Sequence, residues 1–196
     1  MSFPPPRSPG VLQRGFSFLE IVIVVVILGV VLAIAAPNYT AMVNGNHLVA
    51  TGNELLAVVQ QARIEAVRRN QRVVVCPSSD GSSCGSDWSL GWLSFQDNNR
   101  DDLVSVGEAV ITTGVPSTGT RLLPSPAIAT ENRLRFSPDG FAREPVTGAL
   151  LAARIAVCRP VSRPEENVRD LVLASGSRAS LVRRSGGGTC TQPADT

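Results

Sequence analysis

An unbroken apolar run over residues 21–36 limits this chain more than any other feature of its sequence. Between Glu20 and Arg63 the single charged residue is Glu54. Residues 16–36, as a helix, span roughly 31 Å, about the thickness of one hydrocarbon core. The run therefore reads as a membrane-spanning helix. Past Met42 the composition becomes that of a soluble domain, with scattered charges, many Gly and Pro, and several short β-branched runs. A chain of 196 residues has room for one ordinary domain beyond such a span.

What precedes the run sets its direction. Residues 1–15, MSFPPPRSPGVLQRG, are Pro-rich, carry Arg7 and Arg14 but no acid, and end in Gly15. A secretory signal peptide puts its apolar stretch before the cleavage site. Here the order is reversed, so cleavage after Gly15 keeps the apolar segment as the mature N-terminus. The next basic residue after the span is Arg63, and the positive-inside rule then leaves the N-terminus in the cytoplasm. Cys76, Cys84, Cys158 and Cys190 all follow the span, with no C-x-x-C and no paired His. That pattern argues against zinc and for disulfides in an oxidising compartment such as the periplasm. The expected pairs are Cys76–Cys84, across a tight strand-turn excursion, and Cys158–Cys190, pinning the last segment to a sheet strand. The expected location is the inner membrane, crossed once, with a periplasmic body. The net charge of +2 matches Arg7 and Arg14 alone, so no global field favours nucleic acid.

After Pro37, residues Leu48, Gly52, Leu55, Val59, Ala62 and Ala66 recur at three- and four-residue steps. Glu54, Gln61, Arg63, Glu65 and Arg68 fall mostly off that face. This predicts an amphipathic helix over about residues 40–70, continuous with the span. Strand-like runs follow at 72–76, 91–95, 108–113, 133–136, 150–158, 170–175 and 179–184, parted by turn clusters such as SSDGSS and DNNRDD. One long helix followed by antiparallel strands predicts an α+β fold, the helix's apolar stripe covering a sheet face. The expected divisions are a leader at 1–15, a transmembrane helix at 16–38, its amphipathic second half at 39–71, and a β-sheet domain at 72–196 with a disulfide-tied C-terminal segment.

The junction GFSFLE at residues 15–20, with the apolar run and Pro37 behind it, resembles the N-terminal signal of type IV pilins and pseudopilins. In that family a prepilin peptidase cuts after the Gly and methylates the new N-terminal residue, positions held here by Gly15 and Phe16. Glu20 stands where the family keeps an acid, and Pro37 where it keeps a helix-kinking Pro. An acid inside an apolar helix costs about 2.5–3.5 kcal/mol on insertion scales and calls for a partner. The resemblance implies that the partner is the free amine of a neighbouring subunit, which sets subunit register. Downstream, ARIEA (62–66), running into a Cys-bearing strand and then Gly91-Trp92 with an acidic turn, resembles the FimT/GspH group of minor pilins.

Two clusters carry further candidate chemistry. Arg178, Arg183 and Arg184 lie with no acid between Asp170 and Asp195. Members of the group implicated in DNA uptake carry Gly-Arg-x-Arg near the C-terminus. Gly176 fits its first position, but Ser177 and Ala179 stand where the arginines would be. Three phosphate contacts imply a log–log salt slope of about −2.7, hence weak and nonspecific DNA binding; a solvated basic edge explains the same residues. Asp97, Asn99, Asp101, the Leu103 carbonyl, Ser105 and Glu108 fall at positions 1, 3, 5, 7, 9 and 12 of a calcium-loop pattern. Asp102 replaces the Gly of position 6, strands flank the loop, and an Asp/Asn-rich turn between two strands explains the same residues without metal. Trp88 and Trp92 read as core or cover of the sheet. His47 is the one histidine and has no triad partner nearby.

The expected function is a minor pilin or pseudopilin that assembles into, initiates or caps a type IV pilus or type II secretion pseudopilus. The alternative is a DNA-binding receptor displayed on such a filament. The partners implied are other pilin subunits, the prepilin peptidase and the inner-membrane assembly platform, from which the chain is extracted into the filament. No enzymatic role and no cofactor other than calcium is called for.

Overall fold

The computed structural model describes residues 15–144, 146–174 and 177–196, without the side chains of 34–37. The leader residues before Gly15, Arg7 and Arg14 among them, the side chain of Pro37, and Gly176 all lie outside that description, while the backbone at Pro37 is helical within α1. The chain forms two units, divided between Tyr39 and Thr40. The first is helical from Phe18, the start of α1 (Phe18–Arg69). Its described apolar side chains are all exposed within the single chain.

The second unit holds the rest of α1 and eight strands: β1 (Arg72–Pro77), β2 (Trp92–Asp97), β3 (Val110–Gly114), β4 (Arg121–Pro124), β5 (Leu134–Phe136), β6 (Ala153–Cys158), β7 (Val168–Leu173) and β8 (Ala179–Arg184). A 3-10 turn (Trp88–Leu90) precedes β2, and the short α2 (Pro126–Ala129) follows β4. All pairings are antiparallel, and the strands divide into two four-stranded sheets, β3-β2-β1-β5 and β4-β6-β7-β8.

The helix stripe explains the core. Leu48, Leu55, Val59, Ala62 and Ala66 are fully buried, joined by Val58, and they pack with Val73 and Val75 of the first sheet and Ile155, Val157, Leu171 and Leu173 of the second. Gly52 faces β8, where a Cβ would lie 3.4 Å from Leu181, in ordinary van der Waals contact. Trp88 and Trp92 are each 1% exposed in the same core, Trp88 donating to Asn132 Oδ1 at 3.2 Å. Gly114 is required by Trp92, because a Cβ on it would sit 2.6 Å from the indole.

Each sheet also needs an outer cover. On the first, Val74, Cys76, Leu93 and Phe95 are buried under Cys84 and Val104. On the second, Ala156, Cys158 and Val168 are buried beside Leu123 of β4 and under Cys190. The two disulfides, Cys76–Cys84 and Cys158–Cys190, therefore fasten a covering segment to each outer face. Asn167, fully buried, holds the second cover: its amide donates to the Arg159 and Thr189 carbonyls at 2.8 and 3.2 Å and its oxygen accepts from the Gly186 amide at 2.7 Å. Inside the first disulfide loop, the Ser82 amide, then Ser83, bond Asp80 and hold its carboxyl well below the usual carboxylate range.

Candidate functional site

Three regions hold the residues singled out by the sequence. The first is the N-terminus. The Glu20 and Ile21 amides donate to the Ser17 carbonyl at 3.1 and 3.2 Å, which starts α1 and places Glu20 in its first turn. A carboxylate there is favoured by the helix dipole, yet among the described residues no side chain pairs with it. Phe16 is 77% exposed, and α1 is long and apolar enough to cross a membrane. Nothing lies within 4 Å of a Cβ built on Gly15. The fold of the chain therefore tolerates a side chain at Gly15.

The second is the acidic loop between β2 and β3. Carboxylate oxygens of Asp97, Asp101 and Glu108 all lie within 4.8 Å of one another. Asp97 is 1% exposed. Its Oδ2 accepts from Arg72 Nε at 2.8 Å and the Asp102 amide at 3.3 Å, whereas its Oδ1 has no hydrogen-bond partner. Asn99 Nδ2 and the Ser105 hydroxyl both donate to Asp101 Oδ2, at 2.7 and 3.1 Å. Glu108 is clamped by the Asn98 amide at 2.7 Å and the Ser105 amide at 3.0 Å. The bond from the Leu103 amide, set against slight desolvation, holds the Asp101 carboxyl below its ordinary range. Asp102, at the glycine position of the pattern, takes φ +62°. Its own carboxylate turns away to Arg135, whose Nε and Nη2 donate at 2.9 Å each, and to Arg72 at 3.0 Å.

The third is the arginine group, which the structure does not present as one patch. Arg184 donates to Asp170 at 2.8 and 3.2 Å, and Asp170 is 2% exposed. That acid precedes the arginines by one strand and reaches them through the β7–β8 register, in which Asp170 lies opposite Val182. Arg183 belongs to the other face of β8, beside Leu181, Arg169 and the α1 residues Val49 and Asn53. It sits 3.7 Å from Glu166. Arg178 is exposed farther along the same seam, near Arg63, whose guanidinium donates to the Ser177 carbonyl at 3.1 Å. Of the three expected phosphate contacts, Arg184 is paired with Asp170, Arg183 lies near Glu166, and Arg178 is exposed. Arg63 and Arg169, which no charge run in the sequence marks, are neighbours of Arg178 and Arg183. His47, half-buried on α1, makes no hydrogen bond to a serine or carboxylate among the described residues.

The chain's likeness to known proteins matches this anatomy. The family model of the type II transport protein GspH matches residues 51–187, and the prokaryotic N-terminal methylation motif matches residues 12–36. The pilin-like protein PilA1 of Thermus thermophilus is 30% identical over 152 residues, covering 76% of this chain and 92% of that protein. The crystal structure of the type IV minor pilin FimU of Pseudomonas aeruginosa matches with a TM-score of 0.52 at 20% identity, over 70% of this chain and 89% of the other. A second crystal form of FimU gives a TM-score of 0.50. Those two likenesses are of fold. With a methylation motif leading into an exposed apolar helix, and the GspH model matched over most of the body, this chain is a membrane-anchored pilin-like protein of the GspH family of type IV minor pilins and pseudopilins.

Proposed function

We propose that the chain is a filament subunit, cut after Gly15, that joins other pilin-like subunits through its N-terminal helix. The observation that carries the reading is the exposed apolar start of α1, with Glu20 in its first turn and no side chain among the described residues paired with it. Before assembly the bilayer covers that surface. In a filament, neighbouring helices cover it, and the amine freed on Phe16 of one subunit neutralises Glu20 of another. An acid held inside an apolar bundle is stabilised only by such a partner. The body is periplasmic and the N-terminus cytoplasmic before extraction, as Arg7 and Arg14 imply. The prepilin peptidase and the inner-membrane assembly platform are the other expected partners. DNA display on the filament is the lesser alternative, since Arg184 is committed to Asp170.

The cleavage step is tested by intact-mass analysis of the membrane fraction. Parent chain should lack residues 1–15 and carry one methyl group on Phe16. Gly15→Ala should accumulate as the full-length precursor. Because the chain's own fold leaves room for that methyl group, the block reports on the peptidase and not on misfolding. Normal removal of the leader from Gly15→Ala contradicts the assignment.

A further inference from the structure

We infer that the loop joining β2 to β3 is a calcium site, with Asp97, Asp101 and Glu108 as its carboxylate ligands. The inference is independent of how the subunit assembles. Calcium binds oxygens at about 2.3–2.6 Å, so two ligands of one ion lie at most about 5 Å apart. The three carboxylates meet that condition, their oxygens lying within 4.8 Å of one another. This proximity alone does not make a site, and the second observation is Asp97 Oδ1. It belongs to a side chain that is fully buried, and it has no partner, while Oδ2 of the same group is saturated by Arg72 and the Asp102 amide. An ionised oxygen buried without a partner is destabilising, and a bound cation removes that penalty. Arg72 does not compete for this position, because its bonds to Asp97 fall on Oδ2.

The surrounding donors mark where the ion sits. Asn99 Nδ2 and the Ser105 hydroxyl donate to Asp101 Oδ2, and the Asn99 oxygen accepts from the Asp101 amide, so a cation bound there takes the place of these donors, with the Ser105 oxygen at hand and the Asn99 amide turned over to ligate. The Leu103 carbonyl completes the pattern at its seventh position. Asp102 adopts the left-handed conformation that the pattern's sixth residue needs; Asp is enriched there among non-glycine residues. All these ligands are hard oxygens, which exclude a thiophilic metal, and a ring drawn from an exposed loop suits calcium better than the rigid octahedron of magnesium. Val104 of the same loop packs on the outer face of the first sheet, so a bound ion would stiffen that cover.

The test uses the full-length chain in detergent and calcium chloride as the probe. Titration calorimetry should show one ion per chain with Kd on the order of 10⁻⁴–10⁻³ M, the range of extracellular modules. Calcium at about ten times Kd should raise Tm by about 3–6 °C over a chelator control, and equal magnesium by less than half of that. Asp101→Asn, at an exposed position, should weaken binding about tenfold or more and abolish the calcium-dependent rise, read against the same variant in chelator. Glu108→Gln should do the same. No heat and no change in Tm up to about 10 mM calcium overturns the site. Binding that survives both substitutions overturns the ligand set, and equal response to magnesium overturns the choice of ion.

Discussion

Arg183 and Arg184 are neighbours in sequence and have opposite surroundings. Arg184 caps a buried acid, whereas Arg183 lies 68% exposed at the seam with α1. Removing Arg184 leaves Asp170 buried without its partner, so Arg184→Ala should cost about 1–3 kcal/mol. Arg183→Ala should stay within about 0.5 kcal/mol, as for a surface residue. Urea unfolding of the full chain in detergent, followed by the fluorescence of Trp88 and Trp92, separates the two; equal losses would contradict the split. The strand alternation that parts them was legible in the sequence. The Asp170 partner was not, because the β7–β8 register that delivers it depends on contacts remote in sequence. Glu20 was legible for the opposite reason: a lone acid in an apolar run is conspicuous without any tertiary context. The acidic loop stands between these cases. The spacing of its oxygen-bearing side chains is written in the sequence, but the burial of Asp97 and its unpartnered Oδ1 appear only in the folded sheet.

Among the elements, α1 and seven of the strands announce themselves by periodicity. β4 does not, since its four residues end in Pro124 and run into Pro126, a texture that reads as loop. The division of the strands into two sheets was equally invisible, because pairing order is set by long-range register. One hint was present: the continuous apolar run of β1 signals burial on both faces, and both faces are buried. The covers that produce this burial are the segments held by the disulfides. Chain-entropy estimates give about 2.6 kcal/mol for closing the Cys76–Cys84 loop and about 3.7 kcal/mol for Cys158–Cys190. Replacing Cys158 and Cys190 by serine should therefore destabilise the body more than replacing Cys76 and Cys84. Denaturant midpoints of the two double variants test the order, and a reversed order would show that the first cover matters more than its loop length implies.

For the molecule as a whole, the body supplies a frame of helix and two sheets, while the N-terminal half of α1 presents apolar surface that the described residues do not bury. The account's central claim is that this surface and Glu20 serve assembly with other subunits and contribute nothing to the folding of the body. The most direct measurement is the share of chain recovered in sheared filaments, relative to the membrane, for the parent and for Glu20→Ala. Loss of one charge-assisted contact, about 1.5–3 kcal/mol, should lower that share roughly tenfold or more. Leader cleavage, membrane level and the Tm of the body should stay at parental values. If Glu20→Ala enters filaments as efficiently as the parent, Glu20 has no role in subunit pairing and the claim is wrong.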